Sequence, residues 1–196
     1  MLLFYDAPYS GNTWKVRVLL AQLGLAHEVV RLDLFKGEAR TKEYRAKNPF
    51  GRVPFLVEDG FSLAESNAIL LYLARGSRLL PDDARAQALV HQWMFFEQDQ
   101  VEQNIGIPRI MRKLSPEQAE QLDSYFRPRG TAALKVLERY LAQHEWLVGT
   151  AYSLADLALC AYTQLAPEAG HLLADYQAVS RWLERIRQQP GFTELK

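Results

Sequence analysis

The sequence is short of several features that would point to particular protein classes. Its single cysteine, Cys160, excludes an intrachain disulfide and a thiolate metal cluster. Its 23 basic and 23 acidic residues give a formal net charge of zero, which favours neither nucleic acid nor an anionic membrane as a partner. No apolar run approaches the ~20 residues of a membrane-spanning helix. The 4 histidines are scattered without a partner at ligand spacing, so we expect no metal site.

The N-terminus also lacks the pattern of a secretory leader. Residues 1–6 have no basic segment, and their apolar run is too short for a signal peptide. Together with the single cysteine, this predicts a cytoplasmic protein. The remaining composition, 48% apolar and 23% charged over 196 residues, is that of an ordinary globular protein with one large domain or two small ones.

Short apolar runs alternate with helical spacings in residues 1–75. Leu2–Tyr5 and Glu28–Leu34 predict strands on either side of a helix that Gly24 ends. Residues 37–47 predict a short solvated helix, after which come a hairpin and another helix. The resulting order, β-α-β-α-β-β-α, predicts a four-stranded α/β layer.

Strand signals disappear beyond a predicted linker at residues 76–84. The spacing predicts one long helix over 84–113, and Ser115-Pro116 predicts the start of the next helix. Pro128-Arg129-Gly130 predicts a kink or break within that helix. Residues 85–196 are therefore expected to form an all-helical domain, and the fold class is α/β plus all-α.

Two polar side chains of the helical half are expected to be structural. Ser153 and Asp156 have the spacing of a helix capping box, in which the acid accepts the N–H of the capping residue. Cys160 lies among apolar residues, which predicts a buried and inert thiol.

Residues 48–73 are the most informative stretch of the chain. Two apolar runs flank Glu58-Asp59-Gly60, and Asp-Gly between apolar runs predicts a hairpin. Because Pro54 cannot donate a ladder hydrogen bond, the first run is either an edge strand or begins at Pro54, where a cis Val53–Pro54 bond fits. The Val53 backbone is then left to pair with an extended peptide ligand.

The helix after this hairpin supplies a second anchor. Glu65-Ser66 opens an apolar helix, and the free N–H groups of a helix N-terminus attract a carboxylate. The stretch therefore predicts binding of a small peptide through its backbone and a terminal carboxylate.

Two motifs of this stretch, Asn48-Pro49-Phe50-Gly51-Arg52-Val53-Pro54 and Glu65-Ser66-Asn67-Ala68-Ile69, resemble those of the glutathione transferase family. The likeness is to bacterial members of the Ser/Asn, theta- or nu-like type. It implies a thioredoxin-like domain followed by an all-helical bundle. It also implies a homodimeric detoxification enzyme that uses glutathione as co-substrate, without a metal, against a small hydrophobic electrophile.

The resemblance implies a role for each anchor. The Val53–Pro54 backbone would hold the glutathione backbone, Ser66 the γ-glutamyl carboxylate and Glu65 the α-ammonium. Arg52 would contact the glycine carboxylate or a nearby charge, although its residue type suits a solvated surface arginine nearly as well. Arg40 would contact the same carboxylate in place of a histidine that several relatives carry near this position.

Activation of the glutathione thiol has two candidates. Ser10 falls where Ser-type members keep a hydroxyl that hydrogen-bonds the sulfur, although its residue type and place equally suit a helix N-cap. A donor at a helix N-terminus stabilises the thiolate and lowers the thiol pKa. Asn12 is the second candidate and ranks just below Ser10. Tyr5 and Tyr9 are weaker ones, and Tyr9 is expected to flank the pocket.

The electrophile pocket is expected on the long helix of the second half. If the family architecture holds, Glu102, Ile105 and Arg109 face the cleft and line that pocket.

Two other functions fit the same fold. One is a glutathione-dependent disulfide or peroxide reductase, in which glutathione supplies the thiol because the chain has no cysteine near residue 10. The other is a non-enzymatic adaptor, since fold does not fix function. The intact anchors at Val53–Pro54 and Glu65–Ser66 argue against the adaptor.

Overall fold

The computed structural model describes residues 1–195 and divides into two compact units. The first unit contains residues 1–77 together with the tail of residues 190–195, and the second contains residues 78–189. The tail was predicted to belong to the helical domain. It joins the first unit because the Trp14 indole N–H donates to the Thr193 carbonyl at 2.7 Å and the Trp14 ring packs edge-on against Phe192.

The first unit is a sheet with helices. Its elements are β1 (Leu2–Asp6), α1 (Gly11–Gln22), β2 (Glu28–Arg31), a 3₁₀ turn (Glu38–Arg40), α2 (Lys42–Lys47), β3 (Phe55–Glu58), β4 (Phe61–Ala64) and α3 (Ser66–Leu73). The 4-stranded sheet has the order β2-β1-β3-β4, with β1 parallel to β2 and antiparallel to β3. This is the thioredoxin-like arrangement that the sequence predicts. The strand β2 ends at Arg31, earlier than the expected Leu34.

The hairpin follows the predicted turn chemistry. Asp59 and Gly60 have φ values of 48° and 89°, the positive values that a type I′ turn requires. Because β3 lies between β1 and β4, the edge-strand alternative is wrong. A central strand has no place for a residue without an N–H, and β3 accordingly begins at Phe55, directly after Pro54. The Val53–Pro54 bond is cis, which confirms that expectation.

The second unit is built from helices. They are α4 (Ala84–Phe96), a π-helical segment (Glu97–Gly106), α5 (Ile107–Leu114), α6 (Pro116–Gln121), α7 (Asp123–Leu141), α8 (Leu154–Thr163) and α9 (Gln177–Arg187), with 3₁₀ turns at Ala166–Ala169 and Leu173–Asp175. The first three are consecutive and form the long helix predicted over 84–113. Among residues 1–195, no helix has the length and apolar character needed to cross a bilayer.

The expected break at Pro128 lies elsewhere. The helix is interrupted at Leu122, between α6 and α7, while α7 continues through Pro128. Pro128 removes the partner of the Ser124 carbonyl four residues earlier. Ser124 is exposed, so water can satisfy that carbonyl and the helix tolerates the proline.

Asp156 holds the interior of the second unit together. Its carboxylate is fully buried and accepts hydrogen bonds from the Ser153 N–H (3.0 Å), the Leu147 N–H (3.0 Å) and the Trp182 indole (2.8 Å). Burial raises the pKa of the Asp156 carboxyl, and these donors oppose that rise. The predicted cap is therefore present, and Cys160 in the same helix is buried as expected.

Candidate functional site

The loop after β1 is fixed by side chains of α1. The Thr13 hydroxyl donates to the carbonyls of Ala7 (2.7 Å) and Ser10 (3.1 Å). Arg17 forms an ion pair with Asp6, which is only 2% exposed. These contacts determine where the chain enters α1 and therefore where Ser10 lies.

Ser10 is the N-cap of α1. Its backbone is extended, and its Oγ accepts the Thr13 N–H at 3.3 Å. Accepting this bond uses a lone pair of the hydroxyl and leaves its O–H as a donor. The capping role and the proposed sulfur-binding role are therefore compatible in one side chain.

A hydrogen bond joins the start of α1 to the start of α3. The hydroxyl of Ser66, a residue 3% exposed, donates to the Asn12 Oδ1 at 3.0 Å. Ser66 and Asn12 were assigned to opposite ends of the ligand's γ-glutamyl-cysteine part. The structure brings these two predicted site residues into contact.

A second bond lies beside the first, and the sequence reasoning missed it. The Lys15 ammonium donates to the Asn67 Oδ1 at 2.7 Å, and Lys15 is fully buried. Asn12 and Lys15 are three residues apart on α1, a spacing that places them on one helix face. The available signal was a lysine set between the apolar residues Trp14 and Val16.

Glu65 has a strained backbone directly before α3. Its φ of 68° and ψ of 114° lie outside the regions that non-glycine residues favour, and such strain is concentrated at functional sites. Glu65 is the N-cap residue of α3 without a side-chain capping bond, and Ser66 is the first helical residue. The Ser66 side chain therefore lies in the first turn of α3 and not at its cap position.

The backbone before the cis proline is also held in place. The Arg52 carbonyl accepts hydrogen bonds from the Tyr44 hydroxyl (2.7 Å) and the Asn48 Nδ2 (2.8 Å). Both partners are buried, and burial raises the pKa of the Tyr44 hydroxyl. Since β3 begins at Phe55, the sheet does not pair Val53. The Asn48 of the motif thus has a structural role in positioning this segment.

The two arginines assigned to the glycine carboxylate differ in location. Arg40 ends the 3₁₀ turn after β2, and Arg52 precedes Val53. Both residues are exposed, so their roles stay predictions.

Tyr9, the residue before Ser10, forms an exposed aromatic pair with Phe35. Tyr9 is 56% exposed and Phe35 is 59% exposed, and their ring centroids are 6.1 Å apart. The Phe35 N–H donates to the Asp33 side chain at 3.0 Å, which orders its loop. Phe35 was not predicted as a site residue, although an aromatic residue in a polar loop was a usable signal. Tyr5, by contrast, packs in the core against Tyr44 and Phe55.

The predicted pocket residues of the second unit have different surroundings. Ile105 is fully buried in the core of that unit, and its pocket role stays a prediction. Arg109 is 4% exposed and its Nε donates to Glu168 at 2.8 Å. Glu102 is half-buried and accepts a bond from Gln98 at 2.6 Å.

Comparisons with known proteins agree across the chain. Residues 2–75 match the family model for the N-terminal domain of glutathione S-transferases, and residues 91–190 match that for the C-terminal domain. Glutathione S-transferase F10 of Arabidopsis thaliana is 32% identical over 100% of this chain and 96% of its own length. The disulfide-bond oxidoreductase YfcG of Escherichia coli is 30% identical over 97% of this chain and 92% of its own length. A solved glutathione S-transferase from Pseudomonas fluorescens Pf-5 has a TM-score of 0.95 at 38% identity, covering 99% of this chain and 98% of that one.

Proposed function

The chain belongs to the glutathione S-transferase family, and on that premise we propose that it is a glutathione transferase acting on a small hydrophobic electrophile. The observation that carries the proposal is the 3.0 Å bond between Ser66 and Asn12. This bond fixes the helix start that would bind the γ-glutamyl end of glutathione close to the helix start that would bind its sulfur.

Glutathione would bind the first unit as an extended tripeptide. Its backbone would pair with the N–H and C=O groups of Val53, in the manner of an added strand. The γ-glutamyl carboxylate would accept bonds from the first N–H groups of α3. It would also accept one from the Ser66 hydroxyl, whose single O–H would turn from the Asn12 Oδ1 to the ligand. Glu65 would pair with the α-ammonium, while Arg40 and Arg52 would serve the glycine carboxylate.

The thiol would be ionised at the start of α1. A free thiol has a pKa of about 8.5, so it is mostly protonated at neutral pH. The Ser10 O–H and the positive end of the α1 dipole both favour the thiolate, which is the nucleophile. Asn12 stays the second candidate, since its Oδ1 accepts the Ser66 hydroxyl and the donor of an amide side chain is its Nδ2. Either assignment would make the enzyme a Ser/Asn-type member.

The electrophile would meet an aromatic surface. Tyr9, which precedes Ser10 in the chain, and Phe35, which packs on Tyr9, are both exposed, and exposed aromatic rings favour contact with flat apolar molecules. Glu102, Ile105 and Arg109 of the second unit stay predicted pocket residues on the family resemblance alone.

Conjugation of glutathione to a chloronitrobenzene tests the thiol assignment. Ser10→Gly removes the hydroxyl but keeps a residue type that caps helices nearly as well, so stability should change by only a few tenths of a kcal/mol. We expect the rate to fall about a hundredfold, as when one stabilising donor is removed. Ser10→Thr, which retains a hydroxyl, is the matched control. Full activity in both Ser10→Gly and Asn12→Ala would remove the assigned activators.

A glutathione-dependent disulfide reductase is the second candidate function. The likeness to YfcG favours it, and buried Cys160 leaves glutathione as the source of the thiol. Two glutathione molecules would reduce one bound disulfide, giving two thiols and oxidised glutathione. Turnover of a mixed glutathione disulfide, with none of a chloronitrobenzene, would select this function.

Family membership also supports a homodimer. Sedimentation equilibrium tests that assembly, and a monomer at micromolar concentration would count against it. A non-enzymatic adaptor predicts instead that the protein passes through a glutathione matrix unretained.

A further inference from the structure

We propose that Lys15 is a positioning residue for glutathione, acting through Asn67 on the helix start that receives the γ-glutamyl carboxylate. This inference rests on the proposed function. It assigns a role to a side chain that no motif of the sequence marks.

The geometry places Lys15 directly behind that helix start. Its Nζ donates to the Asn67 Oδ1 at 2.7 Å, and Asn67 follows Ser66 in the first turn of α3. The hydrogen bond from Ser66 to Asn12 joins the preceding residue of α3 to the same helix α1. Two consecutive residues of α3 are therefore tied to one face of α1.

These two ties explain how the strained residue before them is maintained. Glu65 has a φ of 68°, and such a backbone persists only where the surroundings over-determine it. The bonds at Ser66 and Asn67 fix the chain immediately after Glu65. Lys15 thus helps to hold both the first N–H groups of α3 and the side chain proposed for the α-ammonium.

A buried lysine is an unfavourable donor for a hydrogen bond whose role is only structural. Lys15 is fully buried, and burying an ammonium group is unfavourable. A cation beside a helix N-terminus also opposes the helix dipole. An anion bound at that helix start offsets part of both costs, because its carboxylate interacts favourably with the cation and with the dipole.

A comparison of two ligands with two proteins tests the role. Calorimetry would measure the affinity of wild type and Lys15→Met for glutathione and for 4-aminobutyryl-cysteinylglycine, which lacks the γ-glutamyl carboxylate. We expect Lys15→Met to weaken glutathione binding about tenfold, equivalent to about 1.4 kcal/mol. The affinity for the analogue should change less than about twofold, since no carboxylate is there to respond. Lys135→Met, at an exposed lysine of the second unit, is the control and should change neither affinity.

A second variant guards against a folding defect in the first. Asn67→Asp keeps the side-chain shape, pairs with Lys15 and suits the first turn of a helix, while it neutralises the cation. It should again weaken glutathione and spare the analogue. Equal losses for both ligands, or no loss for either, would overturn the role of Lys15 while leaving the proposed function intact. A wild-type protein that binds no glutathione would overturn the proposed function itself.

Discussion

The two units bury polar side chains under different conditions. In the second unit, Asp156 is surrounded by donors from the protein itself, the Ser153 N–H, the Leu147 N–H and the Trp182 indole. In the first unit, buried Ser66 and Lys15 bond to the starts of two helices, next to a strained backbone. A buried polar group that is satisfied within the core indicates a structural role. Buried polar groups beside a strained backbone such as that of Glu65 indicate a site.

Asp156→Ala should give the largest effect and lower stability rather than binding. Removing a buried acceptor leaves several donors unsatisfied, so we expect unfolding to become easier by about 3 kcal/mol or more. Urea denaturation measures the change, and Asp156→Asn, which keeps the shape and one acceptor, should lose less. Weakened glutathione binding without a stability loss would reverse the assignment of this region.

Ser66→Ala should weaken glutathione binding more than it lowers stability. Losing a hydrogen bond to a charged ligand group costs about 1.5–3 kcal/mol, or roughly a ten- to hundredfold loss of glutathione affinity. The loss of the bond to Asn12 should lower stability by only about 1 kcal/mol. Parallel calorimetry and urea denaturation check this ratio, with Ser66→Thr as the control that retains the hydroxyl. If the free energy of unfolding fell by more than the free energy of glutathione binding, Ser66 would have a structural role like that of Asp156.

Phe35→Ala should affect the electrophile and little else. An aromatic contact is worth about 0.5–1.5 kcal/mol, so KM for an aromatic electrophile should rise a few-fold. Because Phe35 is 59% exposed, stability and glutathione affinity should hardly change. Steady-state kinetics with aromatic and aliphatic electrophiles check the result, and an equal rise in KM for both would argue against an aromatic contact.

His171 should make stability, and not binding, depend on pH. Burial first and then the Arg127 charge lower its pKa in the folded protein. The unfolded chain therefore takes up the proton first, near pH 6.5. Stability is complete above that pH and falls as the pH drops towards the folded-state pKa. Unfolding free energies between pH 5 and pH 8 should show a smaller slope for His171→Gln, while a slope that His171→Gln leaves unaltered would contradict this role.

Local chemistry explains what the sequence predicts well. The turn at Asp59-Gly60 and the cis Val53–Pro54 bond depend on neighbouring residues, and both are present. The pairing of Lys15 with Asn67 depends on how α1 packs against α3, and periodicity alone does not specify that contact. The buried position of Ile105 has a related cause. It lies in the π-helical segment Glu97–Gly106, whose wider turns shift side chains away from the faces that α-helical spacing predicts.

The tail that packs on Trp14 has a consequence for synthesis. The thioredoxin-like unit is discontinuous in sequence, since Phe192 and Thr193 supply a ring contact and a hydrogen-bond acceptor to α1. During translation, the contacts of Trp14 with Phe192 and Thr193 can form only after residue 193 has left the ribosome. By then the helices of residues 78–189 have already been synthesised. Translation errors or proteolysis near the tail would thus remove packing contacts of α1, the helix that begins beside Ser10.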